Sequence, residues 1–234
     1  MQLFYQPDIA QDATQIVFDS EESRHLAKVL RKKPGDAIWV TNGAGSLFTC
    51  EIDLISHKTT TAKVTGHRLE NPEPYQLHVA VAPTKSIDRL EWFLEKATEI
   101  GIHRITPIIC DHSERTNLKT ERLEKIVEAA MKQSLRCYLP KIDKPVSFQN
   151  FILENSDADK FVAHCAETDK QLLKNLLLPH RAVLILIGPE GDFSEKEIKL
   201  ALNAGFKTIS LGEKRLRTET AALAACHTVA LINQ

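Results

Sequence analysis

The chain has 234 residues, 43% of them hydrophobic and 26% charged, which is enough apolar mass for one large domain or two small ones. No apolar run nears the ~20 residues that a membrane helix needs, and Met1-Gln2-Leu3-Phe4-Tyr5 lacks the basic and apolar parts of a signal peptide, so a cytoplasmic protein is expected. The net charge is −1, yet Arg24, Lys28, Arg31, Lys32 and Lys33 lie close together, and such a patch can hold phosphates on an otherwise neutral chain.

Up to about Glu70 the pattern is of short strands and one helix. Ile16-Val17-Phe18 reads as a strand. Asp19, with Glu22 three residues on, can cap a helix running to about Leu30. Pro34-Gly35-Asp36 turns the chain into the strand Ala37 to Val40. Asn42-Gly43 signals a hairpin, and Phe48 to Ile55 and Thr59 to Val64 alternate as strands do. Together these predict a small β-barrel with a helix across it. Asn71-Pro72-Glu73-Pro74 is the boundary, giving domains of residues 1–72 and 73–234.

Beyond the boundary the rhythm becomes strand, helix, strand. Leu77 to Ala82, Ile105 to Cys110, Phe161 to Cys165, Val183 to Ile187 and Thr208 to Leu211 read as strands. A helix over Asp88 to Ile100 places Leu90, Phe93, Leu94, Ala97 and Ile100 on one face and stops at Gly101. Thr120 opens a helix with Leu123, Ile126, Val127, Ala130 and Met131 inward. Ser194 and Glu197 form a capping box for a helix that ends at Gly205, and Thr220 to Ile232 is a final, alanine-rich helix with Thr220 as its cap. Such alternation means an α/β fold with a mainly parallel sheet and helices on both faces. Trp39 and Trp92 sit on apolar faces and read as core. The five cysteines are odd in number, widely spaced and without a C-x-x-C pair. They read as small buried hydrophobes, and neither a disulfide framework nor a metal site is expected.

Two segments carry chemistry. In the first, the buried strand Val183 to Ile187 runs into Gly188-Pro189-Glu190-Gly191-Asp192-Phe193 and then a helix start. Ligands of open α/β sheets bind at the carboxyl ends of strands. The loop has no G-K-[ST] and no G-x-G-x-x-G, and Glu190 and Asp192 would repel a polyphosphate. A cofactor without phosphates, such as S-adenosylmethionine (SAM), fits better; an ordinary turn that needs glycine is the alternative for this loop alone. In the second, Leu211-Gly212-Glu213-Lys214-Arg215-Leu216-Arg217-Thr218-Glu219-Thr220-Ala221-Ala222 again joins a strand, a glycine turn and a helix start. Two such loops late in one sheet can form a single pocket.

I-G-P-E-G-D-F followed by L-G-x-x-x-L-R-T-E-T-A resembles the SPOUT class of methyltransferases, and within it the RsmE family, which methylates N3 of a uridine in 16S ribosomal RNA. His25-x-x-x-Val29-Leu30-Arg31-x-x-x-Gly35-Asp36 is similar to that family's PUA-like RNA-binding barrel. Lys85-x-x-x-Arg89-x-Glu91 and Lys96-Ala97-Thr98-Glu99-Ile100-Gly101 are similar to it as well. Ala129 to Arg136 matches in part, with Lys132 where an acidic residue is usual, and Asp192 stands where glycine is common.

The resemblance implies a trefoil knot, a homodimer, and a SAM pocket of Ile187, Gly188, Pro189, Glu190, Gly191, Leu211, Gly212, Leu216, Arg217, Thr220 and Ala221, with Ala166 as a third edge. It implies RNA contacts through Arg24, His25, Arg31, Lys32 and Lys33, and a substrate within the small ribosomal subunit. Uridine N3 must lose a proton, so Arg217 is assigned electrostatic stabilisation, with Arg136 second and Glu190 as a possible base. Three alternatives remain: a SPOUT relative methylating another RNA atom, a non-catalytic RNA-binding ribosome-assembly factor, and a nucleotide-binding enzyme that uses the glycine loop for phosphate.

Overall fold

The computed structural model describes residues 2–154, 156–166 and 169–234. Two compact units result, one of Met1–Pro72 with Met131–Leu139, the other of Glu73–Ala130 with Pro140–Gln234.

The first unit contains β1 (Leu3–Tyr5), β2 (Gln15–Phe18), α1 (Ser20–Arg24), β3 (Ala37–Thr41), β4 (Ser46–Leu54) and β5 (Thr60–Leu69). The strands form one sheet of order β1-β3-β4-β5-β2, antiparallel except where β1 pairs with β3. The three-residue β1 is too short for alternation to register in the sequence; pairing with β3 creates it. The Asp19 carboxylate accepts the N–H groups of Glu21 and Glu22 at 2.9 and 2.8 Å, capping α1. The helix then widens into a π-helical turn over His25–Val29 and stops at Arg31, whose φ is +52°. Phe4, Phe18, Leu26, Ile38, Phe48 and Ala62 close one core to which all five strands contribute. Lys132 also belongs to this unit, and its ammonium pairs with Glu22 at 3.1 Å, so a cation is matched at this position.

The other elements, in chain order, are β6 (Gln76–Val81), α2 (Ile87–Ile100), β7 (Arg104–Ile109), α3 (Thr120–Gln133), β8 (Lys141–Ile142), β9 (Val146–Ser147), α4 (Phe148–Ile152), β10 (Asp159–Ala163), β11 (Gln171–Leu172), α5 (Leu173–Leu176), β12 (Ala182–Ile187), α6 (Glu195–Asn203), β13 (Lys207–Ser210) and α7 (Thr218–Ile232). The second unit's sheet has the order β11-β13-β10-β12-β6-β7-β8, with every pair parallel. On one face Leu184 and Leu186 of β12 pack with Phe148, Phe151 and Ala201 of α4 and α6. The period of two sends Val183, Ile185 and Ile187 to the other face, where α7 packs on β6, β12 and α2. Helices therefore cover both faces of a parallel sheet.

Three local expectations need correction. Trp92 is 43% exposed rather than core; at 100° per residue it lies about 200° around α2 from buried Leu90. Cys165 is exposed while the other four cysteines are buried, because β10 ends at Ala163 and leaves Cys165 in the following loop. Helix α7 begins at Thr218, with Arg217 in the cap position and no side-chain cap, so exposed Thr220 lies inside the first turn instead of capping it. Among the described residues no helix is long and apolar enough to cross a membrane, and no three His, Cys, Asp or Glu side chains gather as a metal site.

Candidate active site

Strands β13, β10 and β12 are neighbours, and their carboxyl ends open into a single cavity of about 720 Å³ within the second unit. β10 contributes Ala163, His164 and Cys165. β12 leads to Ile187, Gly188, Pro189, Glu190 and Asp192. β13 leads to Ile209 and the stretch Ser210 to Arg217, and α7 adds Thr218 and Ala221. The two chemistry-bearing segments, separated in sequence, thus face one space. Gly191, Thr220 and Ala166 do not line it. Arg136 belongs to the first unit, half-buried. The lining residues not assigned to the site from the sequence include Arg89, Ala163, His164, Cys165, Lys170, Asp192, Ile209 and Thr218. Arg89, Asp192 and Thr218 stood inside motifs already singled out, whereas His164 and Lys170 come from a segment with no glycine signal.

The loop after β12 is held from several sides. Thr218 Oγ1 donates to the Gly188 carbonyl at 3.1 Å, tying this loop to the start of α7. Glu190 Oε1 accepts the Lys85 N–H at 2.9 Å, and the Arg115 guanidinium donates to the Lys85 carbonyl at 2.8 Å. The capping box of α6 is present: Ser194 Oγ accepts the Glu197 N–H, and Glu197 Oε2 accepts the Ser194 N–H. Glu197 is buried, and its other oxygen accepts the Asp111 N–H at 2.9 Å.

Asp192 has a φ of +63°, in the left-handed region that favours glycine. Its carboxylate explains its presence. Oδ2 accepts the Cys165 N–H at 2.7 Å and Oδ1 accepts the Phe193 N–H at 2.9 Å, so one side chain joins two walls of the cavity. The His112 ring nitrogen Nδ1 lies 3.1 and 3.0 Å from the Gly191 and Asp192 carbonyls. Glu190 and Asp192 therefore each hold backbone N–H groups.

The walls combine apolar side chains (Ala163, Ile187, Ile209, Leu211, Leu216, Ala221) with charged ones at the rim. Gly212 has a φ of +138° and open space where a Cβ would sit, so the backbone there is accessible to a ligand. His164 is 8% exposed, and neither ring nitrogen has a hydrogen-bond partner among the described residues. Burial pushes its pKa down, keeping the imidazole neutral. The Arg217 guanidinium makes no hydrogen bond to any described residue and is exposed at the cavity. Apolar walls, accessible backbone and free guanidinium groups suit a ligand with an aromatic base and a polar tail.

A parallel sheet with a cavity at its carboxyl edge marks the second unit as a ligand-binding α/β domain, and the first unit is a small five-stranded module. Residues 71–230 match the RNA methyltransferase domain family and residues 18–65 the RNA methyltransferase PUA domain. The Ribosomal RNA small subunit methyltransferase E of Bacillus subtilis is 31% identical over 229 residues, covering 92% of this chain and 89% of that protein. The chain belongs to the ribosomal RNA small subunit methyltransferase E family. A Porphyromonas gingivalis crystal structure matches with a TM-score of 0.92 at 39% identity, covering 100% of this chain and 98% of that one. The Neisseria gonorrhoeae member, crystallised with S-adenosyl methionine bound, matches with a TM-score of 0.90 at 27% identity and the same coverage.

Proposed function

We propose that this protein uses SAM to methylate N3 of a uridine in 16S ribosomal RNA. The observation that carries the reading is the cavity where the loops after β12 and β13 meet. SAM fits the residues there. Ile187, Leu211, Leu216 and Ala221 offer apolar cover for an adenine, the open backbone at Gly212 offers polar contacts, and Glu190 and Asp192 of the glycine loop, each already accepting a backbone N–H, disfavour a polyphosphate. When bound, SAM supplies an electrophilic methyl group.

The residues assigned to the cofactor are Ile187, Gly188, Pro189, Glu190, Leu211, Gly212, Leu216, Arg217 and Ala221. Gly191, Ala166 and Thr220 lie outside the cavity lining and drop out of the set expected from the sequence; the others hold the cofactor. Their work is positioning, because the methyl carbon must align with the attacking nitrogen. Arg217 stabilises the uridine anion left when N3 loses its proton. Glu190 shapes the loop, since Oε1 already accepts a backbone N–H.

RNA is gripped by the first unit. Arg24, His25, Arg31 and Lys33 are exposed along α1 and the turn after it, while Lys32 is half-buried with Nζ 3.3 Å from the Ala37 carbonyl. The folded small subunit as substrate, a homodimeric enzyme, a threaded C-terminal knot and a cytoplasmic location belong to the same proposal.

Titration calorimetry with SAM, run beside ATP, is the first test. Micromolar SAM binding without ATP binding is the expected result, followed by mapping of 3-methyluridine in 16S rRNA treated with enzyme and SAM. Absence of SAM binding by folded protein overturns the reading, and methyl found on a ribose oxygen or another base atom moves the protein to a different chemistry.

A further inference from the structure

Of the three charged residues in Lys85-x-x-x-Arg89-x-Glu91, two are spoken for. The Lys85 ammonium pairs with Glu114 at 2.8 Å, and Glu91 pairs with Arg122 at 2.6 Å. Arg89 is different. Its side chain is 41% exposed, it lines the cavity together with Arg217, and its terminal nitrogens Nη1 and Nη2 make no hydrogen bond to any described residue. It also sits in the first turn of α2, where the helix dipole disfavours a cation, so local helix stability does not explain it.

Its neighbour does. Glu219, in the first turn of α7, is buried to 8% exposure, and Oε2 has no hydrogen-bond partner among the described residues. The cation facing it is Arg89, with Nε 3.9 Å from Oε1. A carboxylate taken out of water needs a compensating charge, and α2 packs directly on α7, which sets the two first turns side by side. Glu219 thereby holds Arg89 by charge across 3.9 Å, and the Arg89 guanidinium lines the cavity with its terminal nitrogens uncommitted to any described residue.

We propose that Arg89, held by Glu219, is a catalytic residue that works with Arg217 to bind the uracil anion, Glu219 being the positioning residue. The inference rests on the uridine-N3 reading. In that step the N3 proton leaves to solvent and N3 bonds to the methyl carbon. The carbon–sulfur bond of SAM breaks, with its electron pair returning to sulfur. The negative charge on the ring before attack is delocalised over N3 and its flanking carbonyl oxygens. A planar guanidinium presents two parallel donors to such a group, and an ammonium cannot reproduce that fork.

The test compares wild type with Arg89→Ala, Arg89→Lys and Glu219→Gln, using full-length protein, transcribed 16S rRNA assembled into small subunits, and tritiated SAM. Arg89→Ala is expected to lower kcat about 10²-fold, with the calorimetric Kd for SAM within about 2-fold of wild type, an experimental margin well below one decade of affinity. Its rate should rise with pH up to at least one unit higher than the wild-type rate does, because the uracil must then ionise without the second cation. Arg89→Lys should recover part of kcat, and Glu219→Gln should lower kcat about tenfold with the same direction of pH shift. If Arg89→Ala weakens SAM binding and leaves kcat alone, Arg89 is a cofactor ligand and the proposal fails. An unchanged kcat and pH profile also overturns it. Should Glu219→Gln fail to fold, the two Arg89 variants decide the matter. Failure of the wild type to form 3-methyluridine sinks the underlying reading instead, and is seen before any variant is made.

Discussion

Replacing Asp192 separates backbone strain from hydrogen bonding at the cavity wall. The residue holds a left-handed conformation at φ +63° while its carboxylate accepts the Cys165 N–H at 2.7 Å and the Phe193 N–H at 2.9 Å. A hydrogen bond to a charged group contributes about 1.5–3 kcal/mol, and the lower figure applies because the site is part-exposed, so the pair contributes about 3 kcal/mol. Glycine at this φ relieves about 1 kcal/mol of strain. Asp192→Ala loses the bonds and keeps the strain, for a net loss of about 3 kcal/mol; Asp192→Gly loses the bonds and the strain together, for about 2 kcal/mol. At about 2–4 °C per kcal/mol the melting temperature should fall about 6–12 °C for alanine and about 4–8 °C for glycine. Scanning calorimetry of the three proteins at one pH gives the order Asp, Gly, Ala. A glycine variant as stable as wild type, or more so, would mean that strain outweighs the bonds and that the carboxylate does not hold the Cys165 loop.

Arg217→Ala should lower turnover at least about 10²-fold, the low end for loss of a preorganised charge, and a near-normal initial rate with 16S rRNA would remove it from the catalytic role. Converting Arg31, Lys32 and Lys33 together to Ala should flatten the dependence of log K for RNA on log salt by up to about 2.7, at about 0.9 for each phosphate no longer neutralised; an unchanged slope in filter binding places the RNA site elsewhere. His78 is half-buried beside Thr106, with Nε2 2.7 Å from its hydroxyl. Burial, then Arg104, lower its pKa from 6.5 to about 4, against a smaller opposing pull from Asp143. The unfolded chain therefore takes up its proton first as pH falls. The stabilisation is whole above about pH 6.5 and is lost down to about pH 4, about 3 kcal/mol in all. The melting temperature of His78→Gln should fall less than that of wild type between pH 7 and pH 4.5; parallel curves would remove His78 as the cause.

The α/β rhythm was legible because the strands of a parallel sheet are buried on both faces. Val183 to Ile187 is an unbroken apolar run for that reason, and Ser194 with Glu197 announces a helix start through chemistry internal to four residues. What the sequence hid depends on partners distant in the chain. β1 is three residues that become a strand only beside β3, and β8, β9 and β11 are two-residue pairings on strands already formed. Thr220 looked like a cap because threonine suits that position, but Thr218 spends its hydroxyl on the Gly188 carbonyl and α7 starts there, two residues earlier. Cys165 and Leu211 read as strand ends because each extends an every-second-residue pattern (Ala163 then Cys165, Ile209 then Leu211), yet they lie two residues past β10 and one past β13, where the chain has left the ladder to line the cavity.

That last displacement explains why the site was half readable. A loop that approaches a ligand with its backbone needs glycine, and glycine is visible in sequence, so the segments around Gly188 and Gly212 declared themselves. A wall built from side chains has no such mark. His164 and Lys170 come from the loop after β10, and nothing local distinguishes them from surface residues. They enter the site because β10 lies between β12 and β13 in the sheet although it precedes both in the chain. Placing the earlier strand in the middle puts its loop between the two glycine loops, and the carboxylate of Asp192 then reaches back to the Cys165 N–H. Strand order, a property that no local pattern encodes, therefore decides which unmarked residues join the marked ones. Arg89 is recruited in the same way, by the packing of α2 on α7.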